Sequence, residues 1–364
     1  MNENEPKTQK YNSRIDAIYD ALEKNGEPNY RFTQVCNFIF KEPVKKYSEI
    51  FSIPKYLRED IIAATGTDEI LTLTKLHEIS GEQVKKFLFS TSDGERIESV
   101  LMYYKAQKND KKDFHISLCI STQVGCAMGC KFCTTGNLVG FKRNLTSDEI
   151  VDQLLYFKKE GIDIDSVFFS GMGEPLANPD FLGALNMIVG KDYLGMAARK
   201  VSVSTVGIVP KIQELTKDFP QVNIALSLHF PTNDLRLKYM PVNKAYSLDE
   251  VMATLKTHVD QTHRKVFLAY VMLKGINDSL EYAQNLVNLV KSQREFAYLF
   301  HVNLIEFHKG STKEFFDCTP KAQMDIFKEY LAKNNISVTI RQSFGEEIEA
   351  ACGQLYAQYQ KENI

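Results

Sequence analysis

The sequence predicts an α/β protein in which a full or partial (β/α) barrel follows a small N-terminal helical domain. From about residue 115 onward, short apolar runs typical of strands alternate with amphipathic helical stretches. Alternation at this spacing implies parallel strands joined by right-handed crossovers. Six or more such units favour a barrel over a doubly wound sheet. A chain of 364 residues is long enough for a barrel and an accessory domain.

The first segment, residues 1–90, is predicted to be mostly helical. Apolar residues recur at helical spacing at Ile15, Ile18 and Leu22, and prolines interrupt the pattern further on. Glu78–Leu88 adds a further amphipathic stretch that we assign to the same helical domain. We therefore expect residues 1–90 to form an N-terminal helical accessory domain.

The second segment, residues 91–115, is predicted to be a β-hairpin that leads into the first barrel strand. Ile97, Ser99 and Leu101 alternate with Glu98 and other residues of the opposite face. A lysine-rich turn follows, and then a second strand-like run ending at residue 121. The period of two indicates strands rather than helices. We interpret the lysine-rich turn as a solvated hairpin tip rather than a phosphate-binding patch.

The barrel is predicted to occupy residues 116–345, and a C-terminal segment follows at 346–364. After a first strand at Ile116–Ser121, the predicted strands are Ser166–Ser170, Lys200–Thr205, Val222–Leu228, Val266–Met272, His301–Phe307 and Ser337–Arg341. The predicted helices between them include Asp180–Val189, Leu248–Thr262 and Leu280–Ser292. Thr146 to Glu149 form a capping box that predicts another helix start. Because barrel sites lie at the carboxyl ends of the strands, the functional residues are expected there.

Three cysteines follow the first barrel strand in a C-x3-C-x2-C spacing: Cys126, Cys130 and Cys133. A [4Fe–4S] cluster is usually held by four thiolates, so three would leave one iron open for a ligand. A structural zinc site is the alternative, but it normally needs two pairs of Cys or His ligands, and His115 is awkwardly spaced to be a fourth. Three unrelated core thiols are a further alternative. The spacing favours the cluster.

Polar residues follow the next three strands. Gly173 and Glu174 come after the second strand, where glycine allows close approach of a ligand and a carboxylate can accept from an ammonium group. Ser204 ends the third strand, and Ser227-Leu228-His229 ends the fourth. An ordinary turn and strand-end capping remain the alternatives for these residues taken singly.

Composition and charge restrict the class of protein. The chain is 44% hydrophobic and 25% charged, with a formal net charge of −2, as in ordinary globular proteins. No run reaches the length of a membrane span, and the polar N-terminus does not read as a signal or transit peptide. Seven cysteines, three of them clustered, point to a reducing cytoplasm rather than to a disulfide scaffold. We expect a cytoplasmic protein with no membrane partner.

The cysteine loop and the glycine motif together resemble the radical S-adenosylmethionine (SAM) superfamily. Within it, the chain is similar along nearly its whole length to the RlmN/Cfr family of rRNA adenine methyltransferases. The runs that carry this resemblance are Cys119–Cys126, Gly171–Pro175, Ser227–His229, Met240–Asn243, His301–Ile305 and Ala350–Leu355. So many matched runs in the same order make a chance resemblance very improbable.

The resemblance implies a role for each matched residue. Cys126, Cys130 and Cys133 would hold the cluster, and SAM would occupy the open iron. The SAM contacts would be Gly173, Glu174, Ser204, Ser227, Leu228 and His229. Cys352 would carry the methyl group, Cys119 would be its thiol partner, and Glu98 would accept the substrate proton. The chain departs from the family at His308, where an asparagine that contacts SAM is usual.

Two activities exist in the family, on carbon 8 (Cfr type) or carbon 2 (RlmN type) of one adenosine in the peptidyl-transferase centre of 23S rRNA. Ile340–Gly345, Leu355–Tyr359 and Asn25–Arg31 resemble the Cfr type, whereas Thr122–Gly125 and Pro175 resemble the RlmN type. We favour the Cfr type, which confers antibiotic resistance. The implied partners are naked or precursor 23S rRNA, with tRNA as a second candidate, and an electron donor such as flavodoxin. An iron–sulfur RNA-binding module without turnover is the hypothesis from another functional class.

Overall fold

The computed structural model describes residues 13–106, 110, 112–308 and 315–341, and within them the chain forms two compact units. Residues 13–74 group with residues 145–163 and 180–196 in the first unit. This grouping differs from the predicted 1–90 domain, because it includes two helices from the segment that we assigned to the barrel. No helix in these described ranges is long and apolar enough to cross a membrane.

The first unit is helical. Its helices are α1 (Arg14–Lys24), α2 (Tyr30–Phe40), α3 (Lys55–Thr65), α4 (Ser147–Lys159) and α5 (Phe181–Val189). The predicted capping box is confirmed at Thr146, whose hydroxyl accepts from the Glu149 N–H. Arg14 is buried and pairs with Asp148 and Asp152 at 2.9 and 2.6 Å, which joins the start of α1 to α4. Two carboxylates around one guanidinium compensate the cost of burying these charges.

Within the described residues, the second unit is built on a ten-stranded sheet. Its strands, in spatial order, are β1 (Thr74–Ser80), β2 (Val84–Ser90), β3 (Arg96–Lys105), β4 (Phe114–Ile120), β7 (Ser166–Phe169), β8 (Val201–Thr205), β9 (Asn223–Ser227), β10 (Val266–Met272), β11 (Phe300–Glu306) and β12 (Val338–Ile340). Strands β2, β3 and β4 pair antiparallel, and every pair from β4 to β12 is parallel. The helices of this unit are α6 (Val209–Asp218), α7 (Asn233–Tyr239), α8 (Leu248–Thr262), α9 (Leu280–Lys291) and α10 (Lys321–Lys333).

The helical prediction for Glu78–Leu88 is wrong, because this segment lies in β1 and β2. Strand β2 pairs with β3 from Val84 opposite Met102 to Ser90 opposite Arg96. The tight turn between them contains Asp93-Gly94, with Gly94 at φ +83°, which is a strong hairpin signal that the helical interpretation overlooked. Pairing with β3 therefore stabilises this segment as strand, although its weak amphipathic pattern also fits a helix.

The parallel part of the sheet curls into a partial barrel, as one of the two predicted alternatives held. In the described ranges β1 and β12 are the edges, so the sheet stays open. Its curvature brings the guanidinium of Arg341, directly after β12, to 5.2 Å from the ring centroid of Phe168 on β7. Apart from one or two residues at their ends, the predicted barrel strands and helices agree with the observed ones.

The two faces of the parallel strands differ in character. One face carries fully buried apolar residues such as Val203, Ile224 and Leu226. The other, which we call the site face, is identified by register: Cys119 lies opposite Phe168, Phe168 opposite Ser202, and Ser204 opposite Ala225. Small polar residues on this face are only half-buried, which leaves room at the carboxyl ends of the strands.

Candidate functional site

The cysteine loop is closed at its base by a short two-stranded sheet, β5 (Gln123–Gly125) with β6 (Phe141–Asn144). The Cys126 N–H donates to the Gly140 carbonyl at 2.8 Å. Gly125 has φ +81°, and a Cβ there would lie 1.5 Å from the Gly140 oxygen. Only glycine fits where residue 125 approaches the Gly140 carbonyl this closely. The pairing of β5 with β6 therefore fixes the position of Cys126, the first of the three cysteines.

Asn137 holds the inside of the same loop. Its side-chain amide donates to the carbonyl oxygens of Cys130, Lys131 and Cys133 at 3.1, 3.0 and 2.7 Å. It lies in a single π-helical turn, Thr135–Val139, a feature that is frequent at functional sites. The sequence analysis missed Asn137, because an asparagine in a loop carries no distinctive spacing.

The glycine motif, residues 171–175, is hydrogen-bonded to the residues that precede the cysteine loop. The Met172 N–H donates to the Ser121 hydroxyl oxygen, and the Glu174 N–H donates to Gln123 Oε1, both at 2.9 Å. Gly173 has φ +102°, and a Cβ there would lie 2.6 Å from the Gln123 Cβ. The two segments can approach this closely because the hydrogen bonds hold them together and because residue 173, a glycine, has no Cβ.

Glu174 is a buried carboxylate surrounded by donors. It accepts from the Thr205 hydroxyl at 2.6 Å and from the Val206 N–H at 2.8 Å, and more weakly from the Leu176 N–H at 3.2 Å. Burial raises its pKa to about 7, although these hydrogen bonds oppose the shift. A cation that binds beside Glu174 would stabilise the ionised carboxylate and lower its pKa again.

His229 is held as a neutral donor. The Val271 N–H donates to its Nδ1 at 3.1 Å, so the neutral ring carries its proton on Nε2. Burial, and secondarily the charge of Arg236, lower its pKa to about 3. The backbone at His229 has φ +55°, and Asn277 donates to its carbonyl at 2.8 Å. The ring therefore offers a fixed N–H across the whole physiological pH range.

These segments meet around one cavity of about 150 Å³. Eight of the residues predicted from the sequence line it, namely Cys126, Cys130, Cys133, Gly173, Glu174, Ser204, Ser227 and His229. The Ser204 and Ser227 hydroxyls are 3.2 Å apart. Leu228 is fully buried and is not among the lining residues. The cavity lies at the carboxyl ends of β7, β8 and β9, where a barrel site was expected.

Comparison with known proteins gives three consistent matches. Residues 120–287 match the model of the radical SAM superfamily. The chain is 45% identical over 349 residues to a protein named ribosomal RNA large subunit methyltransferase Cfr from Staphylococcus warneri, covering 96% of this chain and 97% of that one. It is 44% identical to the protein of that name from Bacillus velezensis, covering 94% and 96%. The chain belongs to the Cfr/RlmN family of radical SAM methyltransferases.

A solved structure agrees with this assignment. A radical SAM methyltransferase from Sphaerobacter thermophilus superimposes with a TM-score of 0.82 at 32% identity, covering 95% of this chain and 98% of that one. As a Cfr/RlmN-family enzyme, the protein uses a [4Fe–4S] cluster and SAM. The predicted family, fold class and cofactors are thereby confirmed.

The residues of the cavity fit such a cluster. Burial raises the pKa of Cys126 to about 12 and that of Cys130 well above its usual value, so a positively charged centre is needed to hold them as thiolates. Within the described part of the chain, no three His, Cys, Asp or Glu side chains are grouped as around a single metal ion. A [4Fe–4S] cluster would bind each thiolate through a different iron, so the three cysteines that line the cavity need not converge on a single metal ion.

None of the three predicted catalytic residues is found among the described residues that line the cavity. Cys119 and Glu98 are described, and neither is among the residues that line the cavity. Burial raises the pKa of Cys119 to about 11, and hydrogen bonds to the cavity residue Ser170 and the charge of Arg341 oppose the shift. Cys352 lies outside the described residues. His308 is half-buried after β11 and does not line the cavity.

Arg236, on α7, is a buried residue near the site that the sequence analysis missed. Its guanidinium is fully buried, donates to the Asn243 side chain and the Val206 carbonyl, and is within electrostatic range of Cys130 and Glu174. Its Nε–H is one of a few buried polar groups without a hydrogen-bond acceptor in the described ranges. A positive charge here would offset the negative charge of thiolates that held a cluster. An isolated arginine in a helix gives no sequence signal for this role.

Asn137→Ala is expected to weaken cluster retention. Three loop carbonyls would lose their donor, at a cost on the order of 1–3 kcal/mol for buried groups, and the loop would no longer be held around the cysteines. Iron per chain after anaerobic reconstitution should fall, and the iron–sulfur absorbance should decay faster in the presence of a chelator. Asn288→Ala, at an exposed position of α9, is the matched control. Equal iron content in both variants would show that the amide does not support the loop.

Proposed function

We propose that the protein methylates carbon 8 of an adenosine in the peptidyl-transferase centre of 23S rRNA, and thereby confers resistance to ribosome-targeting antibiotics. The observation that carries this proposal is the 45% identity, over 96% of the chain, to proteins named ribosomal RNA large subunit methyltransferase Cfr. RlmN-type methylation of carbon 2, with tRNA as a further substrate, is the second candidate. The RlmN-like residues Thr122–Gly125 and Pro175 favour it.

The chemistry of the target carbon calls for a relay through protein thiols. An amidine carbon of adenine is electrophilic and has no acidic C–H, so a direct polar methyl transfer from SAM is implausible. We assign Cys352 as the methyl carrier: its thiolate attacks the methyl carbon of one SAM molecule, a bond from that carbon to the Cys352 sulfur forms, and S-adenosylhomocysteine leaves with the electron pair of the broken carbon–sulfur bond. A cluster held by Cys126, Cys130 and Cys133, together with a second SAM molecule, would supply a 5′-deoxyadenosyl radical and the one-electron chemistry of the cycle.

The remaining steps are assigned to three side chains. Hydrogen abstraction leaves a methylene radical on the Cys352 sulfur, and its carbon forms a bond to the adenine carbon. The adduct then loses one electron, for which the oxidised cluster would be the acceptor, and the ring proton, which Glu98 accepts. The Cys119 thiolate then attacks the Cys352 sulfur. The carbon–sulfur electron pair passes to the product carbon, which takes up a proton and becomes a methyl group. A Cys119–Cys352 disulfide remains and must be reduced before the next cycle.

Orientation of SAM is assigned to the polar lining of the cavity. Glu174 would accept from the SAM ammonium, and Gly173 would allow the ligand to approach the backbone. Ser204, Ser227 and the Nε2–H of His229 would supply further hydrogen bonds, and Leu228 would contribute only through its buried position in the same run. Thr205 and Val206 support this assignment, because they hold the Glu174 carboxylate by its two oxygens.

The partners follow from the same proposal. The target adenosine lies inside a folded RNA, so naked or precursor 23S rRNA is the expected substrate, with the base extruded and stacked for reaction. Cluster reduction requires a one-electron donor such as flavodoxin. Methylation of rRNA before ribosome assembly is complete would take place in the cytoplasm.

SAM affinity is expected to rise with pH through the titration of Glu174. Its pKa is raised to about 7, so the carboxyl is largely protonated at pH 6 and largely ionised at pH 7.5, and only the ionised form attracts the SAM ammonium. Affinity of the cluster-loaded protein should increase about five- to tenfold over this interval. Glu174→Gln should bind SAM more weakly and without this pH dependence. The same slope in that variant would place the titrating group elsewhere.

Mass spectrometry of 23S rRNA from a strain that expresses the chain tests the proposed carbon. We expect 8-methyladenosine at the peptidyl-transferase centre, in a strain whose own carbon 2 methyltransferase has been deleted. An expressing strain that contains 2-methyladenosine without 8-methyladenosine would support the RlmN-type candidate and exclude the leading one. The Cys126→Ala protein, expressed at the same level, is the control for modification by other enzymes.

A further inference from the structure

The predicted proton acceptor, Glu98, is one member of a buried ion pair. The Lys86 Nζ is 3.1 Å from the Glu98 carboxylate, and the two side chains are 0% and 2% exposed. Lys86 lies on β2 and Glu98 on β3, two neighbouring strands of the antiparallel part of the sheet. Lysine and glutamate are rarely buried unless they are paired, so this pair is an unusual feature of the sheet.

Strand register places the pair on the site face. Lys86 lies opposite Val100, and Val100 lies opposite Cys119. Residues that are directly opposite one another point to the same face, and so do residues two apart on one strand. Lys86, Glu98 and Cys119 therefore share the face that carries the cavity residues Ser204 and Ser227 farther along the sheet.

Hydrogen bonds connect Glu98 to the glycine motif. The Ser121 hydroxyl donates to the Glu98 carbonyl oxygen at 2.7 Å and accepts from the Met172 N–H at 2.9 Å. Met172 also packs against Leu88, which lies opposite Glu98 on β2. The backbone that carries Glu98 is thus fixed with respect to Gly171 and Gly173, two residues of the cavity wall.

Burial of such a pair needs an explanation beyond stability. Removing two charges from water costs free energy that their attraction seldom exceeds, and apolar replacements of similar volume are often neutral or stabilising. A carboxyl group buried without a cation takes the neutral acid form. A carboxylic acid that already holds its proton cannot accept another from a substrate carbon.

We propose that Lys86 is a positioning residue that keeps Glu98 ionised and oriented to accept the ring proton of the adenine. The inference rests on the proposed function, in which Glu98 is the proton acceptor. In the step concerned, the carbon–hydrogen bond of the adduct breaks and its electron pair returns to the ring. The proton passes to a Glu98 oxygen, and the Lys86 ammonium is unchanged.

The test compares Lys86→Met, a chain of similar length without charge, with Lys86→Gln, Glu98→Gln and wild type, each as the full cluster-loaded protein. Two products of one turnover on 23S rRNA fragments are measured between pH 6 and 9: 5′-deoxyadenosine, which forms before the proton transfer, and methylated RNA. In Lys86→Met at pH 7, 5′-deoxyadenosine should stay near the wild-type amount while methylated RNA falls about tenfold or more. A loss of methylated RNA that is smaller at pH 9 than at pH 7 would distinguish a missing proton acceptor from a misfolded site.

The outcomes separate the inference from the function on which it rests. Glu98→Gln should lose methylated RNA at every pH, and equal methylation by this variant and wild type would remove Glu98 as the proton acceptor. If Glu98→Gln is inactive while Lys86→Met and Lys86→Gln methylate like wild type, only the role of Lys86 is overturned. A merely structural role for Lys86 would lower both products together at all pH values and reduce the melting temperature.

Infrared spectroscopy gives a reading that does not depend on turnover. In Lys86→Met at pH 7 we expect a protonated carboxyl band that is absent from wild type and from the Lys86→Met/Glu98→Gln double variant. Lys86→Gln serves the same comparison if the methionine variant does not fold. Absence of the band from both single variants would show that Glu98 stays ionised without Lys86 and would overturn the proposal.

Discussion

Replacement of Cys119 by Ala is expected to leave the protein covalently attached to its RNA substrate. In the proposed relay, the Cys119 thiolate is the group that breaks the bond between the Cys352 sulfur and the transferred carbon. Without it the adduct can form but cannot be released, so methylated RNA should fall to background while a protein–RNA species accumulates. Denaturing electrophoresis with labelled RNA, followed by nuclease digestion and mass spectrometry, would locate the attachment.

Two further variants give this experiment its controls. Cys352→Ala should form neither methylated RNA nor the covalent species, because the methyl carrier is missing. Cys318→Ala should behave like wild type, since Cys318 matches no family role and its thiol donates to the Phe307 carbonyl rather than lining the cavity. Wild-type methylation by Cys352→Ala would refute the relay, and release of free methylated RNA by Cys119→Ala would assign resolution to another group.

Cys126→Ala is expected to abolish the iron–sulfur centre and, with it, SAM binding. One of the three thiolates would be lost, and the two that remain cannot hold three irons of a cube. Iron per chain after reconstitution should fall close to background, and SAM should no longer be retained on equilibrium dialysis. Cys318→Ala is again the matched control, since it removes a half-buried thiol outside the cavity lining. Full iron content in Cys126→Ala would remove this cysteine from the ligand set.

The fold was largely predictable because each parallel strand coincides with a short apolar run in the sequence. Val266–Met272, a run of apolar residues between helical stretches, was predicted with the bounds that the structure has. The failure at Glu78–Leu88 has a clear cause. Its apolar residues fit a helix nearly as well as a strand, and only the long-range partner β3 decides between them. Whether the barrel closes depends on contacts between its edges, which no local pattern encodes.

The site was predictable where the spacing of residues in a motif indicates a function, as it does for Cys126, Cys130 and Cys133. Residues that act through a folded contact escaped notice. Gln123 and Ser121 were seen only as parts of a matched run, although they fasten the glycine motif to the cysteine loop. Lys86 and Arg236 are ordinary charged residues in sequence, and their burial emerges only when strands and helices pack. Such residues have no signature until their partners are known.

The position of Arg341 over Phe168 has a kinetic consequence. Phe168 lies opposite Cys119 in the sheet, so the chain leaves the last strand close to the proposed resolving thiol. Cys352 follows eleven residues later, and a chain of that length reaches at most roughly 37 Å. The sulfur of Cys352, the proposed methyl carrier, is thus joined by a chain of limited length to a point near Cys119, its proposed reaction partner. Its encounters are unimolecular, at an effective concentration in the millimolar range, and they should not slow when the protein is diluted.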